Sequence, residues 1–332
     1  MKSLAITIIL FVPVCCFSQY TNSNLQVNFL ESEASAKSFT YQNLRLYPIY
    51  AKQSFLSQFK DVGKYMPLTE ALEKKKVRIT EKANGGEVND LVIENISSDT
   101  VIVICGDIVK GGQQDRIIQQ DMVLKPKSGK KDMKVFCVES GRWQSRNNAA
   151  TNNRQAAANY TYAATASFDG HFNKGSMGLR KVVEVEKDQS KVWSKVDQIN
   201  DDNKTNTSTK TYTAISNSSD YSKKLKGYLD FFSNKFITDT NVIGVVVVSG
   251  DKVLGCDMFA TPALFKSQFP SLLNSYATEA ILSGKPVTVT AATVKAYMNP
   301  ILLSEISQKV VLKQKGNDFV DKGKKLRVSS FD

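Results

Sequence analysis

Histidine is almost missing from this chain: His171 is the only one in 332 residues. A metal site built on several imidazoles is thereby excluded, and any Ser–His or Cys–His pair would have to use that one residue. It stands in DGHF, a loop-like stretch where an ordinary exposed histidine is expected. Cysteine is also scarce. Of five, Cys15 and Cys16 fall near the N-terminus, leaving Cys105, Cys137 and Cys256. Three thiols over this length make no disulfide framework, and the odd number leaves at least one unbridged. A Cys105–Cys137 bridge is open in an oxidising compartment, but core filling is the commoner use of such cysteines. The sequence has no GxSxG and no HExxH. In GDIVKGGQ, Gly112-Gln113 stands where a phosphate loop needs Lys-Ser or Lys-Thr. These absences point to no metal and no cofactor.

Acids are short as well: 32 against 44 lysines and arginines, a net charge of +12. Such a balance favours anionic partners. Much of it lies in small clusters, Lys74-Lys75-Lys76, Lys130-Lys131, and Lys322, Lys324 and Lys325 around Gly323, as solvated faces also would. The N-terminus reads MKSLAITIILFVPVCCFSQY. Lys2 precedes an apolar run from Leu4 to Val14, too short to span a bilayer, and Cys16 and Ser18 occupy small positions before Gln19. That pattern predicts a signal peptide over 1–18, cleaved after Ser18, and an exported, periplasmic or secreted protein. Val12, Pro13 and Val14 before Cys15 fit a lipid-attachment site poorly. Loss of Lys2 with the leader leaves +11. No later apolar run reaches membrane-spanning length. Export disfavours nucleic acid and leaves a small anionic molecule or an envelope polymer as partner.

Residues 19–40 form a polar lead-in. NLRLYPIY (43–50) alternates like a strand ending at proline, and LTEALEKKKVRIT (68–80) has the charge order of a short helix capped at Thr69. From 87 to 139, β-rich runs alternate with turn clusters: Leu91–Ile93, Val101–Ile104, RIIQQDMVLKP and DMKVFCVES. The stretch 144–175 is Asn/Ala-rich without a steady period and reads as a long loop. Helical spacing follows over 176–200 and 219–236, the second capped at Ser219. VIGVVVVSGDKVLGCDMFA (242–260) reads as a hairpin. Pro262 opens a helix interrupted by Pro270, a short helix covers 290–303, and the tail reads as one or two closing strands. The fold class expected is α+β. A sandwich-like antiparallel β-rich unit over 40–143 packs with a helix-rich unit over 176–332 that contains the hairpin, or merges with it into one domain.

Two stretches carry residue types that do chemistry. GDIVKGGQQDR places Asp107, Gly111, Gly112, Gln113, Asp115 and Arg116 between β runs. Glycines there let a ligand approach backbone N–H groups, and Arg116 could pair with an anion; a turn with Asp115 and Arg116 tied to neighbours fits the same residues. In VFCVESGRW, strand alternation sends Phe136 and Val138 one way and Val135, Cys137 and Glu139 the other. Cys137 and Trp143 read as core; Glu139 and Arg142 fit an ion pair or a site equally. The candidates are Gly111, Gly112, Gln113, Arg116, Arg142 and Trp143 for ligand binding, and Glu139 or Asp107 as acid/base.

These motifs, with YPI, LTEAL and GEVNDLVIEN upstream and Gln189, Val192-Trp193 and LGCDMF downstream, resemble the ARG and Rhodanese-Phosphatase-superfamily-associated protein (ARPP) family. The resemblance covers about residues 40–280. Its signature positions here are Gly106, Gly111, Gly112, Gln113, Arg116, Cys137, Glu139, Gly141, Arg142 and Trp143. It implies a phosphate- or nucleotide-related role and carries over no activity. Three functions stay open: an exported protein binding a phosphate- or sugar-bearing ligand at the signature, a hydrolase or transferase acting there, and an envelope interaction protein without a small-molecule site.

Overall fold

The computed structural model describes residues 19–83, 87–142, 167, 168 and 170–332. The expected signal peptide, Trp143 and most of the Asn/Ala-rich stretch lie outside the described residues. The described chain is α+β, as expected. Strict alternation builds its signature half. A six-stranded antiparallel sheet runs in the order Gly170–Phe172 (β12), Ile108–Lys110 (β8), Arg116–Ile118 (β9), Gly129–Cys137 (β11), Asp90–Asn95 (β6), Val77–Glu81 (β5). Val109, Ile118 and Val135 point to one side of it; Ile108, Ile117 and Phe136 point to the other.

The first side packs on a small sheet of Met122–Leu124 (β10), Val101–Val103 (β7) and Met66–Pro67 (β4), and on Leu68–Glu73 (α3). The second side packs on helices: Met177–Lys181 (α4), a π-turn Val182–Glu186, Gln189–Asn203 (α5) and a 3-10 stretch Tyr212–Asn217. Sandwich-like packing is therefore present, with helices covering the outer face of the larger sheet.

The remaining strands form a seven-stranded antiparallel sheet. Its order is Leu25–Val27 (β1), Leu44–Ala51 (β3), Val242–Ser249 (β13), Lys252–Phe259 (β14), Lys324–Phe331 (β16), Gly316–Asp321 (β15), with Thr40–Tyr41 (β2) beside β3. β13 is buried along its whole length, as befits a β-branched strand covered on both faces. Pro262–Ser283 (α7), Ser219–Phe232 (α6), Ala291–Leu303 (α8) and Gln53–Gln58 (α2) contribute to its core. Glu305–Lys315 (α9) follows α8, and Glu33–Ser38 (α1) lies near the N-terminus. Among the described residues no helix is long and apolar enough to cross a membrane.

Several local expectations change. The lead-in is structured, and β1–β3 join the large C-terminal sheet because LRLYPIYA pairs with the hairpin strand β13. Pro48 does not end β3; its carbonyl accepts from the Asn28 N–H at 2.9 Å, and Val245 lies opposite it. The helix at 68–80 stops at Glu73, is capped at Pro67 rather than Thr69, and yields to β5 after Lys75 turns left-handed. RIIQQDMVLKP divides between two sheets. The helix over 176–200 breaks where Lys187 adopts φ 53°. Ser218, not Ser219, caps α6. Pro270 lies inside an unbroken α7. The tail begins with α9 before its strand pair. All three cysteines are buried and unbridged.

The two halves meet on a cluster of charges sealed from water. Arg180 of α4 holds both oxygens of Asp257 on β14, at 2.7 and 3.0 Å. Arg327 of β16 reaches Asp121, between β9 and β10, at 2.9 and 3.1 Å. It also holds both oxygens of Glu184, in the π-turn, at 2.9 Å. Ser329 Oγ donates to Glu184 and Tyr276 Oη to Asp257. Burial alone would push the Asp257 carboxyl up, but Arg180 and Arg327 hold it well below the ordinary carboxylate range. Burial wins at Asp121, whose carboxyl is raised despite Arg327.

Removing one partner of such a cluster strands the others. Arg327→Met is expected to cost about 3–5 kcal/mol, read as a lower urea midpoint. Because folding depresses the Asp257 carboxyl, its stabilisation is complete above the unfolded value of about 3.9 and is lost as pH falls through the folded value. Asp257→Asn should be clearly less stable than the parent at neutral pH, with the gap narrowing on acidification below about pH 4.

Candidate functional site

Strand pairing assembles the signature. β9 and β11 are antiparallel neighbours with Cys137 opposite Arg116, so the glycine loop before β9 faces the residues that follow β11. The Val138 N–H donates to Asp115 O at 3.0 Å and extends the pairing. Two carboxylates then brace the loop in parallel fashion. Glu139 Oε2 accepts from the Asp115 N–H at 3.0 Å and from Arg142 Nη2 at 2.6 Å. Glu81, on β5, accepts from the Gln113 N–H at 2.8 Å and stands 3.7 Å from Arg116 Nη2. Each carboxylate thus takes one loop N–H and one arginine.

Arg142 closes the loop from outside. Nη1 donates to Gly112 O at 3.0 Å and Nη2 to Gly111 O at 3.3 Å. It also lies 3.7 Å from Asp115. Asp115 is the hub beneath: Oδ1 accepts from the Gly111 N–H at 3.2 Å, and Oδ2 from the hydroxyls of Thr211 and Thr213 at 3.0 and 3.2 Å. Arg116 is wholly buried, and Nη1 donates to Gln114 Oε1 at 3.3 Å. The Gly112 N–H donates to Ser167 O at 3.0 Å. Gly112 has φ 51°, and a Cβ there would collide with the Phe168 ring and with Glu81 Oε1, so glycine is required twice over.

The network separates its carboxylates. Burial raises Glu81, more than Arg116 and the Gln113 N–H lower it. Burial pushes Glu139 the same way, but the Arg142 hydrogen bond and charge and the Asp115 N–H bring it below its ordinary value. Burial pushes the Cys137 thiol up to about 11. Its backbone is gripped by Gln189, whose Oε1 accepts from Cys137 N at 2.8 Å and whose Nε2 donates to Cys137 O at 2.9 Å. Burial disfavours the thiolate form that a nucleophile requires.

Of the candidates, Gly111, Gly112, Gln113, Arg116, Glu139 and Arg142 meet in this one network. Asp107 does not belong to it. Its Oδ1 accepts from buried Lys174 at 2.6 Å and from Ser271 of α7 at 3.3 Å. Lys174 also donates to Cys105 O at 3.1 Å. Trp143 lies outside the described residues. His171 is not an exposed loop residue: it sits on β12, and burial lowers its pKa. The Glu139–Arg142 pair is present, and Asp115 and Arg116 are tied to their loop neighbours Gly111 and Gln114 as well as to the distant Thr211, Thr213 and Glu81. Glu81, Lys174, Thr211 and Thr213 have no local sequence signal, because each reaches the signature from a distant segment. Gln189 was legible only as part of a wider pattern.

No curated protein and no solved structure matches this sequence. The sequence pattern of the ARG and Rhodanese-Phosphatase-superfamily-associated Protein domain matches residues 34–330, a range that includes every signature residue described above. The chain belongs to the ARG and Rhodanese-Phosphatase-superfamily-associated Protein domain family.

Proposed function

We propose that this chain is an exported binding protein that takes an anionic, phosphate- or sugar-bearing small molecule at the mouth of the signature loop. The observation that carries the reading is Arg142. Its guanidinium is fixed by Glu139 and two loop carbonyls, yet its side chain keeps 10% exposure at the surface. A cation held in place before the ligand arrives loses little freedom on binding. Lys110, the last residue of β8, and Gln113, on the loop that follows, are both half-buried, and the Lys110 ammonium sits 5.6 Å from the Phe172 ring centre. Recognition rests on these side chains, since the N–H groups of Gly111, Gly112 and Gln113 are engaged by the protein. Arg116 serves from within, holding Glu81 and the loop's shape. The leader and the positive charge favour an exported protein with anionic partners.

A hydrolase or transferase at the same mouth is the second reading. It is favoured by the opposite displacement of Glu81 and Glu139, the pattern that divides acid from base.

A thermal-shift panel of inorganic phosphate, sugar phosphates, nucleotides and neutral sugars tests the binding reading. An anionic member should raise the melting temperature increasingly with concentration. Lys110→Met should weaken that ligand about tenfold or more while leaving the unliganded melting temperature unchanged. A panel in which no anion stabilises the protein, or an anion bound equally by Lys110→Met and Arg142→Gln, would overturn it. Catalysis gains only if a bound ligand is converted and Glu139→Gln abolishes the conversion.

A further inference from the structure

The N-terminal end of the described chain and its last helix pair share one face. Gln19 Nε2 donates to Gly323 O at 3.0 Å, and its Oε1 accepts from the Lys325 N–H at 2.7 Å. The Asn22 N–H donates to Leu302 O at 2.9 Å, and Gln308 Nε2 donates to Tyr20 O at 3.4 Å. Residues 19–22 therefore lie beside the corner between α8 and α9.

That corner is unusually greasy. Leu303, Ile306 and Val310 are 62%, 78% and 57% exposed. Ile306 and Val310 are four residues apart on α9 and share its outer face, while Gln308 and Leu312 form the inner one. Lys309 and Lys313, also four apart, stand beside them. With Lys187, which closes the π-turn, they line a groove of about 400 Å³. Among the described residues none of these three lysines has an ion-pair partner. The acids of the groove are occupied: Glu184 by Arg327 and Ser329, Asp318 by Lys325.

We propose that this corner docks on an anionic lipid surface. Leu303, Ile306 and Val310 enter the boundary between headgroups and acyl chains, and Lys187, Lys309 and Lys313 meet lipid phosphates. Exposed apolar side chains next to unpaired lysines on one helix face are what an interfacial helix presents. Each lysine near such a surface adds to the attraction, and the apolar side chains add the second signal that stable attachment requires. A second copy fits less well, because a twofold contact over this face would set the same lysines against each other. A free phosphate would fill the groove and leave the apolar side chains in water.

The test is vesicle flotation of the chain starting at Gln19. Vesicles of phosphatidylcholine alone are compared with vesicles also containing phosphatidylglycerol. Binding is expected only to the second kind and should weaken as salt is raised. Lys309→Glu with Lys313→Glu should lower vesicle affinity about tenfold or more. Ile306→Ser with Val310→Ser should do the same. All four positions are exposed, so both double variants should keep the parent's circular dichroism and melting temperature. Equal binding to both vesicle types, or variants that bind as the parent does, would overturn the proposal. So would a chain that dimerises without binding vesicles, or one that inorganic phosphate stabilises without any vesicle binding.

Discussion

Five charged side chains sealed between the two large sheets set the terms for the rest of this fold. Arg180 and Arg327 face Asp121, Glu184 and Asp257 with their side chains almost wholly buried. Such clusters tolerate little displacement, because a charge that loses its partner in a dry interior costs several kcal/mol. The five residues come from α4, the π-turn, β14, β16 and the link between β9 and β10. One end of the signature strand β9 is thereby tied to the C-terminal sheet. The position of the signature loop follows from that attachment.

The same economy repeats at the signature itself. Glu81 and Glu139 each take one loop N–H and face one arginine. The glycines, which would let a ligand approach backbone donors in an open loop, here allow tight packing of Phe168 and Glu81 against Gly112. Arg116, on β9, and Arg142, beyond the end of β11, divide the work of holding carboxylates. Only Arg142 does so near the surface.

Much of this was readable from the residues, for a physical reason. A strand's two-residue period separates Phe136 from Val135 whatever the fold, so the two faces of β11 could be assigned in advance. The hairpin of β13 and β14 is local and announced itself through Ser249-Gly250-Asp251. Long-range choices were not legible. Nothing in LRLYPIYA says that it pairs with a strand some two hundred residues later, and nothing in VRITE marks Glu81 as a brace for Gln113. Asp107 looked equivalent to Glu139 because both are acids within the signature. Lys174 and Ser271, far along the chain, decide that it is not. Pro270 looked like a break, yet α7 continues through it, supported by packing on both sides.

The backbone donors of the signature loop are taken up within the protein, at Gly111, Gly112 and Gln113 alike. Amide hydrogen exchange at Gly111, Gly112 and Gln113 in the unliganded protein tests it most directly. Slow exchange is expected at all three, comparable with the neighbouring strands β8 and β9. Exchange at the rate of a free loop, slowing only when an anion is added, would contradict it and return ligand recognition to the backbone.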